Sequence, residues 1–262
     1  MKFSCCIEMI FTEFPFIERI YRAEEAGFDY VEFWCWEDKD LARLRKALDD
    51  TGMQVSVFQG NTVGRMVDAE DRQAYVEGVK RSVEAAEKLG AQKLFLMSDI
   101  LKEDRSVLEA DRPISDGEKR RNTVGLLREL IPVAEESGVS FMIEPLNTLV
   151  DHKGYSLCSS EAGASIIREV NHPQIRLLYD AYHMQVMEGN IIANIRDKHD
   201  TFGHFHIADV PGRFEPGTGE LNFRNILKAL ADSGYDGVVG FEFEPKNGDS
   251  AETCKRVFEQ IL

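Results

Sequence analysis

Short apolar runs alternate with longer amphipathic ones along the whole chain. The apolar runs predict strands over residues 2–8, 29–34, 53–58, 92–98, 139–144, 175–180, 202–207 and 237–243. Stretches with apolar positions at helical spacing predict helices over 14–26, 38–51, 70–89, 117–137, 160–169, 188–199, 222–233 and 249–261. Alternating β and α units at this spacing predict a parallel sheet, and eight of them predict closure into a (β/α)8 TIM barrel of the α/β class. No second compositional regime interrupts the pattern, so residues 1–262 read as a single domain.

The punctuation has a direction. Gly27, Gly52, Gly90, Gly138 and Gly234 each close a helical run just before a strand, as in AEEAGFDYVEF and AEKLGAQKLFL. Glycine past a helix end suits the left-handed conformation that stops many helices. Turns before strands are therefore tight. The connections after strands are long: 59–71, 98–117, 145–160 and 209–219. In a (β/α)8 barrel the loops after strands build the working face.

Four strands carry an acid or a histidine at that end: Glu144, Asp180, His206 and Glu242. Side chains alternate across a strand, so each shares a face with the residue two before it. Met142 goes with Glu144, Leu178 with Asp180, His204 with His206 and Gly240 with Glu242. That common face is the inward one. Acidic groups ending apolar strands are costly unless something pairs with them. Three carboxylates and one imidazole suit one divalent cation, Mn²⁺, Mg²⁺ or Co²⁺ ahead of Zn²⁺, which favours sulfur or more nitrogen. Such a cation polarises a carbonyl, and two flanking glutamates then shuttle protons between neighbouring carbons. His183 lies three residues past Asp180, within reach of a substrate oxygen, and Arg213 suits a substrate carboxylate or hydroxyl.

Plainer readings stand beside these. Asp180 is also a natural helix cap. His204 reads as a hydrogen-bonded interior histidine behind His206. Glu32, Trp34 and Gln59 suit pocket lining or barrel packing equally, while His152 and Lys153 read as a solvated loop. Glu8 ends the first predicted strand with no assigned role.

Charge and cysteines narrow the partners. The chain of 262 residues carries a formal net charge of −15 and a pI near 4.9, which disfavours nucleic acid and anionic membranes. A small polar substrate guided by a metal remains compatible. Five scattered cysteines with no CxxC pair argue against a disulfide framework and for reduced thiols in a cytoplasmic protein. The N-terminal stretch lacks a signal-peptide pattern, and no apolar run reaches the roughly 18 residues of a membrane helix.

Longer strings carry a resemblance. EMIFTEFPFIERIYRAEEAGFDYVEF (8–33), IEPLNTLVDHKGYSL (143–157), DAYHM (180–184), HIADVPGRFEPGTGELNF (206–223) and GFEFEP (240–245) resemble the xylose isomerase-like TIM barrels, and among them the hydroxypyruvate isomerases. The resemblance implies metal ligands at Glu144, Asp180, His206 and Glu242, with Glu144 and Glu242 as the acid/base pair. It implies substrate contacts from His183 and Arg213, and conversion of hydroxypyruvate to tartronate semialdehyde. It also implies a small-molecule substrate and association into a homo-oligomer. One position departs: hydroxypyruvate isomerases often carry Gln where this chain has His206, whereas ketose 3-epimerases of the superfamily carry His within a similar GHFH string. A ketose 3-epimerase is therefore the runner-up, and a non-catalytic sugar-binding barrel the alternative of another class. A nuclease like endonuclease IV fits poorly, since residues 1–151 contain no histidine and the chain is acidic.

Overall fold

The computed structural model describes residues 1–61 and 63–261. Eight parallel strands close into a barrel in chain order. They are β1 (Lys2–Cys6), β2 (Tyr30–Phe33), β3 (Gln54–Gln59), β4 (Lys93–Leu96), β5 (Ser140–Ile143), β6 (Ile175–Asp180), β7 (Phe202–Ile207) and β8 (Val238–Phe241). β1 and β8 complete the ring, with Lys2 opposite Val238 and Cys5 opposite Phe241. The helices around it are α1 (Glu18–Glu25), α2 (Leu41–Thr51), α3 (Arg72–Leu89), α4 (Asp116–Ser137), α5 (Ser160–Val170), α6 (Ala181–Met187), α7 (Ile191–Lys198), α8 (Phe223–Asp232) and α9 (Ser250–Ile261). No helix among the described residues is long and apolar enough to cross a membrane.

Every predicted strand is present, and the differences are local. β1 ends at Cys6 because the amides of Met9 and Ile10 turn back to its carbonyl, at 3.1 and 2.9 Å. Glu8 consequently lies in a turn and pairs with Lys39 at 3.0 Å. α1 begins at Glu18, four residues later than the pattern suggests, after turns through Pro15. α6 has no counterpart in the predicted elements. It is seven residues long, too short to display a helical period, and starts where β6 ends. The tight turns before strands are as expected: Gly52, Gly90 and Gly138 cap α2, α3 and α4 at φ 74°, 73° and 74°.

The two faces of the sheet differ in chemistry. Outward residues pack under the helices, and around β1 and β8 this layer is aromatic. Phe3, Phe28 and Phe258 surround Phe241 with ring centroids 5.1 to 5.5 Å away. Inside, branched aliphatic side chains usually fill such a barrel. Here Ser4, Glu32, Ser56 and His204 do so instead, all buried. The Ser56 hydroxyl donates to Glu32 Oε2 at 3.0 Å and lies 2.7 Å from that of Ser4. Gly240 makes room for them. It sits between Ser4 of β1 and His206 of β7 in register, and a Cβ there would overlap the Glu32 carboxylate and lie 2.7 Å from His206 Cδ2. Overfilling a packed interior costs about 1–3 kcal/mol, and each kcal/mol moves Tm by roughly 2–4 °C in a protein near this size. Gly240→Ala is accordingly expected to lower Tm by several degrees in thermal denaturation. An unchanged Tm would mean that the interior has slack around Glu32.

Candidate active site

The C-terminal ends of β5 to β8 bring the four predicted ligands together. Glu144 follows β5, Asp180 ends β6, His206 lies in β7 and Glu242 follows β8. One ligand atom from each lies within 4.8 Å of the others, and all four residues are buried. Glu144 Oε1, Asp180 Oδ2 and His206 Nδ1 have no hydrogen-bond partner. Leaving such atoms buried and unmatched costs about 1–3 kcal/mol each, and more when charged. The donor set of carboxylate oxygens and one imidazole nitrogen fits a hard or borderline divalent cation.

His206 is held between two anions. Its Nε2 is 3.1 Å from Glu32 Oε1, on the interior side, and its Nδ1 is 3.1 Å from Glu242 Oε2, on the mouth side. Burial disfavours the charged imidazole, yet Glu32 and Glu242 outweigh it and push the His206 pKa well up. Burial alone would raise Glu32, but His206 and His204 hold it at about 2. His204 completes this interior group, its Nε2 donating to Glu32 Oε2 at 3.0 Å. Burial keeps His204 neutral, with its pKa lowered to about 4. Both residues left open by the sequence thus act on His206: Glu32 directly, His204 through Glu32.

Arg213 is no surface residue. Its loop winds around the buried Asp209, whose carboxylate accepts the amides of Val210, Gly217, Gly219 and Leu221 at 2.9 to 3.0 Å. This folds the Gly- and Pro-rich segment inward, with Arg213 at φ 59°. Its guanidinium donates to Glu242 Oε2 at 2.5 Å, lies 3.7 Å from Asp180 Oδ2 and covers the Tyr182 ring at 5.3 Å. Trp34 Nε1 donates to the other Glu242 oxygen at 2.9 Å. The two glutamates therefore differ. Burial would raise both, but Arg213 and His206 hold Glu242 well below the carboxylate range. Glu144 has no such donor and is pushed well up by burial and by Glu242. Asp180 is raised to about 6, by burial first.

Asp180 is both cap and candidate ligand. Its Oδ1 accepts the amides of Tyr182 and His183 at 2.7 and 3.4 Å, starting α6, while Oδ2 stays unpartnered toward the site. His183, in the first turn of α6, has a defined tautomer. The backbone amide of Asn147 donates to His183 Nδ1 at 3.2 Å, so the ring proton sits on Nε2. Asn147 Oδ1 accepts the amides of Val150 and Asp151, which turns its Nδ2 toward His183 at 2.8 Å. Burial and Arg213 push the His183 pKa well down, so the ring is a neutral N–H donor. Nothing in the sequence pattern marks Asn147 or Asp209, whose roles rest on backbone amides brought in by loops.

These groups open on a cavity of about 220 Å³. Glu144, Glu242, His183 and Arg213 form its polar side, while Trp34, Gln59, Phe95, Met97 and Leu146 contribute to the rest. His152, read from sequence as part of a solvated loop, is 6% exposed and lines this cavity, because its Nδ1 is drawn to the Arg105 carbonyl at 3.2 Å. Lys153 is exposed as expected.

A family profile describing the xylose isomerase-like TIM barrel matches residues 20–260. The chain belongs to this family. Within it, the chain is 31% identical over 262 residues to the putative hydroxypyruvate isomerase of Mus musculus, covering 96% of this chain and 92% of that protein. It is 30% identical over 258 residues to the 2-oxo-tetronate isomerase of Cupriavidus necator, covering 95% of each. The crystal structure of an AP endonuclease, family 2, from Brucella melitensis superposes with a TM-score of 0.88 at 26% identity over 98% of both chains. In this member of the family the four-residue cluster contains a single histidine.

Two outcomes follow for a xylose isomerase-like site of this make-up. Protons on Asp180, Glu144 and His206 compete with a cation, and binding must displace them. Cation affinity is expected to rise with pH through about 6, the Asp180 value, by about tenfold per unit for each proton displaced. Calorimetric titration of Mn²⁺ at pH 5.5 and 7.5 checks this, and a pH-independent affinity contradicts it. Glu32→Gln removes the anion behind His206, and cation affinity should then fall about 10- to 100-fold with the circular dichroism spectrum unchanged.

Proposed function

We propose that the protein is a divalent-metal-dependent isomerase of a small hydroxy-carbonyl compound, acting on hydroxypyruvate to give tartronate semialdehyde. The observation that carries this reading is the cluster of four buried ligand groups, three with an orphaned atom, beside a cavity that Glu144 and Glu242 both line. The isomerase names of the relatives at 30 and 31% identity support it. So does the cavity of about 220 Å³, below the roughly 300–1,000 Å³ that holds drug-sized ligands.

Glu144, Asp180, His206 and Glu242 would hold Mn²⁺, Mg²⁺ or Co²⁺. A bound cation of this kind supplies Lewis-acid polarisation of a substrate carbonyl. The protein's own groups do the rest. Glu242, kept ionised by Arg213 and His206, takes a proton from the hydroxyl-bearing carbon, C3. Glu144 accepts the proton of the C3 hydroxyl and delivers it to the neighbouring carbonyl carbon, C2. Glu242 passes the proton it took to the C2 oxygen, so both glutamates end ionised and the product is an isomer with nothing added or lost. His183 Nε2–H and Arg213 orient the two substrate oxygens. The apolar wall of Phe95, Met97 and Leu146 limits water at the reacting carbons.

His206 favours a second reading, a ketose 3-epimerase, in which the same glutamates work on opposite faces of C3 of a sugar. One experiment addresses both. The Mn²⁺-loaded protein is incubated in D₂O with hydroxypyruvate and, separately, with ketoses, and C–H exchange is followed by NMR. Exchange with aldehyde formation on hydroxypyruvate is expected; exchange confined to C3 of a ketose selects the epimerase. Glu144→Gln and Glu242→Gln should each lower the rate by on the order of 10² to 10⁴. Full exchange in both variants would remove the acid/base assignment, and none in wild type on any compound would favour a sugar-binding barrel.

A further inference from the structure

A 2-oxo acid carries a charge that the site described so far does not match. In hydroxypyruvate the proton moves between C3 and C2, and the C1 carboxylate takes no part. With C2 and C3 at Glu144 and Glu242, that carboxylate needs a partner elsewhere along the cavity wall. Arg213 is already shared between Glu242 and Asp180, 2.5 and 3.7 Å from its NH2, and the reacting oxygens that it orients in the reading above.

One other cation lines the same cavity: Arg105, on the loop after β4. Among the described residues its guanidinium makes no ion pair and no hydrogen bond. Its backbone is fixed even though its side chain is exposed. Leu101 and Val107 pair as an antiparallel bridge, and the Arg105 amide closes the turn on Lys102 O at 2.9 Å. At φ 64° Arg105 occupies a left-handed position unusual for a long side chain. The loop is also stitched to the one after β5, through Val107 N to Lys153 O at 3.0 Å and His152 Nδ1 to Arg105 O at 3.2 Å. His152 in turn packs on His183 with ring centroids 5.4 Å apart. A row of contacts therefore runs from Asp180 through His183 and His152 to the backbone of Arg105.

We infer that Arg105 is the anchor for the substrate carboxylate and the residue that makes this barrel select 2-oxo acids over neutral ketoses. The inference deepens the isomerase reading and rests on it for the placement of C2 and C3. An arginine fork binds a carboxylate with paired, charge-assisted hydrogen bonds, and a neutral hydroxymethyl group in the same place gains little from it.

The test uses two compounds of one skeleton: hydroxypyruvate, and 1,3-dihydroxyacetone, in which CH₂OH replaces the carboxylate. Their affinities for the Mn²⁺-loaded full-length protein are measured by calorimetry. Wild type should prefer the carboxylate by about tenfold or more, less at high salt because the anchor is exposed. Arg105→Gln should lose most of that preference and Arg105→Lys should keep part of it. Lys102→Gln, which alters an exposed charge of the same loop, should keep all of it. Equal affinities in wild type, no measurable binding of hydroxypyruvate, or a preference retained by Arg105→Gln would each overturn the inference. The readout is binding, so an Arg105-dependent preference without turnover would sink the isomerase reading alone and leave this anchor standing.

Discussion

Three carboxylates and an imidazole buried within a few ångströms of each other need compensating positive charge, and the working end of this barrel is built around that need. Two like charges about 4 Å apart repel by about 4 kcal/mol at the effective dielectric of a protein near its surface. Against a net stability of about 5–15 kcal/mol, one unmatched pair is a serious cost. The chain meets it from several directions. Arg213 reaches Glu242 and Asp180, the first amides of α6 take one oxygen of Asp180, and Trp34 takes one oxygen of Glu242. Glu144 receives none of these, and its pushed-up pKa follows. The charge left uncompensated suits a divalent cation.

The same constraint explains the polar interior. His206 turns Nδ1 to the mouth, and Glu32 next to Nε2 holds the ring that way. Glu32 reaches across the barrel because Gly240 has no side chain, and it stays ionised because His206 and His204 hold it so. A layer that other barrels fill with aliphatic packing has become the support of one imidazole.

What could be read from the sequence was whatever repeats or alternates. Strand positions, the inward parity and the four acids or histidines at strand ends need only local pattern. What could not be read depends on partners far along the chain. Glu32 bonds His204 across 172 residues, and neither residue announces the other. Asp209 draws four loop amides around itself, so a Gly/Pro-rich segment that looks like surface becomes the seat of a buried arginine. His152 is buried through the Arg105 carbonyl of another loop and the His183 ring of α6. Cap and ligand looked like competing readings of Asp180, yet a carboxylate has two oxygens and here they face different ways.

That division of Asp180 has a mechanical consequence. Asp180 and His183 are separated by one turn of α6, so their spacing is set by helix geometry, as a gauge is set by its own body. The loop after β5 is bonded to the same helix, through Asn147 to His183, Thr148 to Met187 and Asp151 to Tyr182. That loop takes its position from α6, and the distance from the Asp180 oxygen to the His183 ring stays where the helix put it.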